Sequence, residues 1–127
     1  MNFFFDNNIS RNMAHAMELL DVGCRVLHLQ DQFEEGTKDE DWLPFVGNNG
    51  YILVTRDKKI TKRRAELEAY KRHKVGAFIL TGKKLSIWAQ VKQLILAWEK
   101  MKILAEKTPR PFAFQIRSKG KIIPIGL

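Results

Sequence analysis

The sequence predicts one α/β domain built on a mostly parallel sheet. Three observations predict it. Short apolar segments rich in Phe, Val and Ile alternate with longer segments of helical periodicity, four times in succession. The first of them, Phe3-Phe4-Phe5, is apolar without interruption, as in a strand covered on both faces. The length of 127 residues, with 45% hydrophobic and 28% charged composition, suits a single core that folds without a disulfide or structural metal.

Each element has its own signal. Phe3-Phe4-Phe5 reads as a strand that stops at Asp6, and Asn7-Asn8 as a loop. Ser10 suits an N-cap for a helix over about 11–22, with Ala14, Met17 and Leu20 on its apolar face and Gly23 as its stop. Val26, Leu27 and Leu29 suggest a second strand over about 25–29. Residues 30–38 are polar and read as a loop. Thr37 and Glu40 have the spacing of a capping box for a helix over about 38–47, which carries Trp42, Leu43, Phe45 and Val46. Ile52 to Thr55 is the clearest strand, bounded by Gly50 and Asp57. A third helix is expected over about 60–73, and a fourth strand over Val75 to Leu80. A long helix over about 86–106 places Ile87, Val91, Leu94, Ile95, Trp98, Met101 and Ala105 on one face. After Pro109 and Pro111, Phe112, Phe114 and Ile116 alternate, Ser118 to Lys121 turns, and Ile122 to Ile125 returns. This predicts a C-terminal β-hairpin over about 112–125 that closes a core over about 1–107.

No apolar run approaches the roughly 20 residues that cross a bilayer, so no membrane role is expected. The N-terminus has no basic stretch and an acid directly after three Phe, unlike a secretory signal. Cys24 is the one cysteine, so no intrachain disulfide forms. These features suit a reducing, cytoplasmic setting.

Charge is divided along the chain. Residues 1–50 hold 3 basic and 9 acidic residues, whereas 51–127 hold 19 basic and 5 acidic. Between Arg56 and Lys74 lie nine basic residues and three acids, a net of +6. Arg56, Lys58, Lys59, Lys62, Arg63 and Arg64 therefore form either a track for a polyanion such as RNA or a solvated face.

In open parallel sheets, ligands bind beyond the carboxyl ends of the strands. Asp6 follows the first strand and Asp57 the third, and Asp39-Glu40-Asp41 opens a helix expected to face the same edge. Carboxylates converging there would suit a hard cation, Mg²⁺ or Mn²⁺. Each acid also has a structural reading. Asp57 could cap the following helix, and Glu40 could serve the capping box. Asp6 has no such duty, because Ser10 already caps the helix after it. The three histidines lack ligand spacing, and no glycine-rich phosphate loop is present. The long helix also carries Trp88, Leu96 and Ile103 off its main face, as extra core or as a homodimer interface.

Three segments in this order, Phe5-Asp6-Asn7-Asn8, Glu35-Gly36-Thr37-Lys38-Asp39-Glu40-Asp41-Trp42 and Ile52-Leu53-Val54-Thr55-Arg56-Asp57-Lys58, resemble the PIN-like nuclease superfamily, most closely its VapC-type toxin branch. The resemblance runs on through the long helix to Thr108-Pro109-Arg110-Pro111-Phe112. It implies a three-layer α/β/α sandwich that gathers acids around Mg²⁺ or Mn²⁺ and cuts RNA. Carried over by position, it assigns the metal to Asp6, Asp39 (with Glu40 as rival) and Asp57, and makes Thr55 the residue that orients the Asp57 loop. Asn7-Asn8 stands where the family usually has a further acid, and no acid is assigned to the position the family uses after the Thr-x-Asp motif. The expected function is a metal-dependent endoribonuclease acting as the toxin of a type II toxin–antitoxin pair, with a cognate antitoxin as protein partner. The alternative is a catalytically inactive PIN-like module that binds nucleic acid.

Overall fold

The structure is a computed structural model that describes residues 1–60 and 62–127. The elements follow in the order β1 (Asn2–Phe5), α1 (Arg11–Leu19), β2 (Arg25–His28), α2 (Leu29–Gln32), α3 (Asp39–Asn48), β3 (Ile52–Thr55), α4 (Arg64–Arg72), β4 (Gly76–Leu80), α5 (Ile87–Lys107), β5 (Phe112–Ile116) and β6 (Ile122–Ile125). They build a six-stranded sheet in the order β2-β1-β3-β4-β5-β6. All neighbours run parallel except β5 and β6, which form the expected C-terminal antiparallel hairpin. The hairpin extends the sheet, because β5 pairs with β4 along its whole length.

Successive side chains on a strand point to opposite faces, so the apolar strands feed two cores. Phe3, Phe5, Val54, Phe78 and Leu80 face α1 and α5, packing on Met13, Met17, Leu94, Trp98 and Met101. Phe4, Leu53, Ala77 and Ile79 face α3 and α4, packing on Trp42, Leu43, Val46 and Tyr70. Phe4 lies against Trp42 and Tyr51 with ring centres 5.8 and 6.3 Å apart, which fixes α3 over β1. The α3–α4 contact is closer still. A Cβ built on Gly47 would lie 2.1 Å from the His73 carbonyl oxygen.

Several local expectations differ from the fold. Residues 29–32, expected within strand and loop, form the short helix α2, in which the His28 ring accepts from the Gln30 N–H. The Ser10 side chain makes no capping bond to α1. The Thr37 hydroxyl donates to the Glu34 carbonyl at 2.6 Å, so the Thr37–Glu40 capping box does not form and Lys38 stands at the N-cap. The third helix begins at Arg64 and not near 60. Ile60 is buried in the core from a turn that Asp57 organises, and the chain must pass it before it can coil. Thr61, inside that expected helix, lies outside the described residues. On α5, Ile87 and Ile95 are more than half exposed, and the buried face runs through Leu94, Ala97, Trp98, Met101 and Ala105.

Candidate metal centre

β1 lies between β2 and β3, so the first crossover leaves it on one side and the next strand pairs on the other. The carboxyl ends of β1 and β3 flank this switch point, where open α/β sheets form their ligand crevice. Asp6 is the first residue after β1, and its N–H donates to the Val54 carbonyl at 2.9 Å. Asp57 lies two residues beyond Thr55, the end of β3.

Thr55 ties the two acids together. Its buried hydroxyl donates to Asp6 Oδ2 at 2.7 Å and accepts the Asp57 N–H at 3.0 Å. Thr55 thus stands between Asp6 and the start of the Asp57 loop. Asn8 serves the same loop, accepting the Arg56 N–H at 2.9 Å through Oδ1. Asp6 Oδ1 accepts the N–H of Asn7. Asp6 is only 8% exposed. Burial pushes its carboxyl up to about 6, against the pull of the Thr55 and Asn7 bonds, and the charges of Asp39 and Asp57 raise it further.

Beside Asp6, three half-buried acids meet. Asp39, Asp57 and Glu66 each offer a carboxylate oxygen, and these oxygens lie within 4.8 Å of one another. Asp39 comes from the first turn of α3 and Glu66 from the first turn of α4, where helix dipoles favour negative charge. The Trp42 indole N–H donates to Asp39 Oδ1 at 3.1 Å, linking the acid to the core. Asp57 Oδ1 accepts the Lys59 N–H at 3.0 Å in a tight side-chain turn. Burial raises the Glu66 carboxyl, which the Arg63 bond lowers and the nearby Asp39 raises again.

Glu40 is exposed and does not join this cluster, so Asp39 is the member of that pair which does. One residue further along a helix turns a side chain by about 100°, which carries Glu40 off the crevice. Glu66 is the acid that sequence reasoning missed. In the sequence it reads only as counter-charge to the basic run. A signal for it exists, because an acid in the first turn of the helix after β3 faces the edge for the same reason as Asp39.

The basic residues divide into four kinds. Lys58, Lys59 and Lys62 are exposed. Arg64 is exposed and pairs with Glu68 at 3.4 Å. Arg56 is half buried and donates to the Gly82 carbonyl at 3.0 Å. Arg63 is exposed as well, and one of its nitrogens reaches Asp57 at 2.8 Å and Glu66 at 3.1 Å. All but Arg64 precede α4, so the basic track is a turn segment and not a helix face.

A cavity of about 150 Å³ opens beside the acids, lined by Asp6, Asn7, Gln30, Phe33, Thr37, Asp39 and Trp42 among others. The donor set suits a small hard cation. It is all oxygen, partly shielded, and drawn from three separate elements. Three ligands of one octahedral Mg²⁺ stand about 3.0 Å apart, or about 4.2 Å for a trans pair, at bonds of about 2.1 Å, so the three acids would draw together around the ion.

No helix among the described residues is long and apolar enough to cross a membrane. No curated protein and no solved structure matches the chain. Residues 1–82, from β1 through β4, match the family described as PIN like domain. That stretch is well over half of the sequence and carries Asp6, Asp39, Asp57 and Glu66 together, and by it the chain belongs to the family of PIN-like domains.

Proposed function

We propose that this PIN-like domain is a metal-dependent endoribonuclease, hydrolysing RNA phosphodiester bonds with Mg²⁺ or Mn²⁺, and that it is the toxin of a type II toxin–antitoxin pair. The observation that carries the nuclease reading is the meeting of Asp39, Asp57 and Glu66 at the sheet's switch point. The toxin role rests on the sequence resemblance, and its protein partner would be a cognate antitoxin.

Asp39, Asp57 and Glu66 would hold the ion, with Asp6 beside them as a fourth acid whose charged form a cation favours. When bound, such an ion lowers the pKa of a coordinated water and neutralises charge on the reacting phosphate. Thr55 keeps Asp6 and Asp57 at fixed separation, which limits the reorganisation that binding requires. Lys58, Lys59 and Lys62, with Arg56 and Arg64 beside them, would meet backbone phosphates on the approach to the crevice. Arg63 has two available roles. Its guanidinium pairs with Asp57 and Glu66, and a cation on those acids would release it to a phosphate.

The Arg63 pairing also favours the second reading. A guanidinium that already satisfies the acids is what a PIN-like module that binds RNA without cutting it would keep. Cleavage of a labelled single-stranded RNA, compared in Mg²⁺, Mn²⁺ and EDTA, separates the two. The nuclease gives divalent-dependent products that Asp57→Asn and Glu66→Gln abolish. RNA binding without products in either metal would establish the binding module. For the toxin role, induced expression should arrest growth and the Asp57→Asn variant should not. Harmless wild-type expression in a host without the antitoxin would remove that role and leave the nuclease reading standing.

A further inference from the structure

A second cavity, of about 200 Å³, opens where β4 and β5 reach their carboxyl ends. Ile79, Thr81, Gln115 and Ile125 line it from the sheet, and Lys58 and Lys62 from the turn that precedes α4. Register explains the grouping. Ile79 pairs with Gln115, and Ala113 with Ile125, so these side chains share the sheet face that carries α3 and α4. Lys58 directly follows Asp57, and β5 lies two strands from β3, about 10 Å across the sheet. The cavity is thus a neighbour of the acid crevice. It is smaller than the roughly 300–1,000 Å³ of sites for drug-sized ligands, and suits one nucleobase rather than a whole nucleotide.

A chain of hydrogen bonds fixes what the cavity offers. Gln93 is fully buried in α5 and donates through Nε2 to the carbonyls of Thr81 and Ile116, at 2.7 and 2.9 Å. The Thr81 hydroxyl donates to the same Ile116 carbonyl at 3.0 Å. With its proton committed there, the Thr81 oxygen can only accept, and it takes the Gln115 Nε2–H at 3.2 Å. That bond selects one flip of the Gln115 amide, nitrogen toward Thr81 and oxygen away. Gln115 is half buried, and its Oε1 meets no donor among the described residues. An amide proton and a carbonyl oxygen are left side by side for a ligand.

An oriented amide with a free donor and a free acceptor pairs bidentately with adenine, accepting from N6–H and donating to N7. Ile79 and Ile125 supply apolar walls for the base, and Lys58 and Lys62 suit the phosphate that carries it. In single-stranded RNA a base can leave the stack and be read at its edge in this way. We propose that this cavity is a base-recognition pocket that takes one unstacked adenine of an RNA strand, read by Gln115, beside the phosphate held at the acid crevice. Thr81 is the positioning residue that keeps the amide in its reading orientation. This role rests on the reading of the domain as one that acts on RNA, and adds to it a preference in sequence.

Fluorescence anisotropy of the full chain with oligoadenylate, oligocytidylate and oligouridylate of equal length, in EDTA at one fixed salt concentration, tests the pocket. The wild-type chain should bind oligoadenylate about ten-fold more tightly than the other two. Gln115→Leu should remove that preference. So should Gln115→Glu, which keeps the shape but, when ionised, offers no donor. Thr81→Val should blunt the preference, and Thr81→Ser should keep it. The ratio between RNAs is the readout, because a purely structural loss weakens all three alike. Circular dichroism shows which variants fold, and the near-isosteric Gln115→Glu and Thr81→Ser keep the test open if the apolar ones do not. Equal affinity of the wild-type chain for the three RNAs, binding to none of them, or a preference that survives Gln115→Glu overturns the pocket. Cleavage of the same RNAs in Mg²⁺ and Mn²⁺ is read separately. Cleavage indifferent to base leaves the nuclease reading standing without the pocket, whereas a Gln115-dependent preference without cleavage leaves the pocket on a module that only binds.

Discussion

Replacing Asp6 by Asn should stabilise the metal-free protein near neutral pH. Asp6 is 8% exposed and its carboxyl is pushed up to about 6. In the unfolded chain an aspartate titrates near 3.9. As pH rises through this window the unfolded chain releases a proton that the folded chain retains. Stability therefore falls between about pH 4 and pH 6, and the loss is complete above that range. The gap between the folded and unfolded values is worth about 3 kcal/mol at most. Asn matches the neutral acid in shape and escapes this loss. It offers a single acceptor to the Thr55 hydroxyl and the Asn7 N–H, which returns some of the gain. A net gain of about 1–3 kcal/mol raises the melting temperature by roughly 4–12 °C in a chain of this size. Thermal melts in EDTA at pH 8 should show that gain, and melts at pH 4 should show little of it, since the folded Asp6 is then neutral and its unfolded form only about half ionised. A lower melting temperature for Asp6→Asn at pH 8, or the same difference at both pH values, would refute the reasoning.

Other perturbations act through single contacts. Thr55→Val keeps shape but leaves Asp6 Oδ2 and the Asp57 N–H without their partner, and denaturant unfolding should show a loss of about 1–3 kcal/mol. Arg63→Gln removes the internal cation from Asp57 and Glu66, so Mn²⁺ affinity by calorimetry should rise several-fold, whereas an unchanged affinity would mean that Arg63 does not compete for the acids. Gly47→Ala drives a Cβ against the His73 carbonyl and should cost about 1–3 kcal/mol or more, read from the urea midpoint.

The strands are the legible part of the fold, because each is an apolar run bounded by polar or glycine residues. Phe3-Phe4-Phe5 and Ile52 to Thr55 lie where composition puts them, and their parallel pairing brings Asp6 and Asp57 to one edge. Helix starts are less legible. Thr37 and Glu40 have capping-box spacing, yet Thr37 bonds back to Glu34, and a local turn outcompetes the cap. The third helix starts late because Ile60 is claimed by the core, a tertiary demand that spacing alone does not carry. On α5, apolar residues recur at three and four on two faces, so the pattern admits Ile87 and Ile95 to the wrong one. Glu66 is hidden by its neighbours. Amid nine basic residues an acid reads as charge balance, and only folding α4 back over the end of β3 brings it to Asp39 and Asp57.

The central claim is that these three acids hold a divalent ion, and Mn²⁺ binding followed by electron paramagnetic resonance tests it most directly. The wild-type chain should bind Mn²⁺ at one site with a dissociation constant below about 1 mM. Glu66→Gln should weaken that binding by about ten-fold or more, while Glu40→Gln, an equal loss of charge on an exposed neighbour, should leave it almost unchanged. Binding absent from the wild-type chain, or lost equally in both variants, would contradict the account.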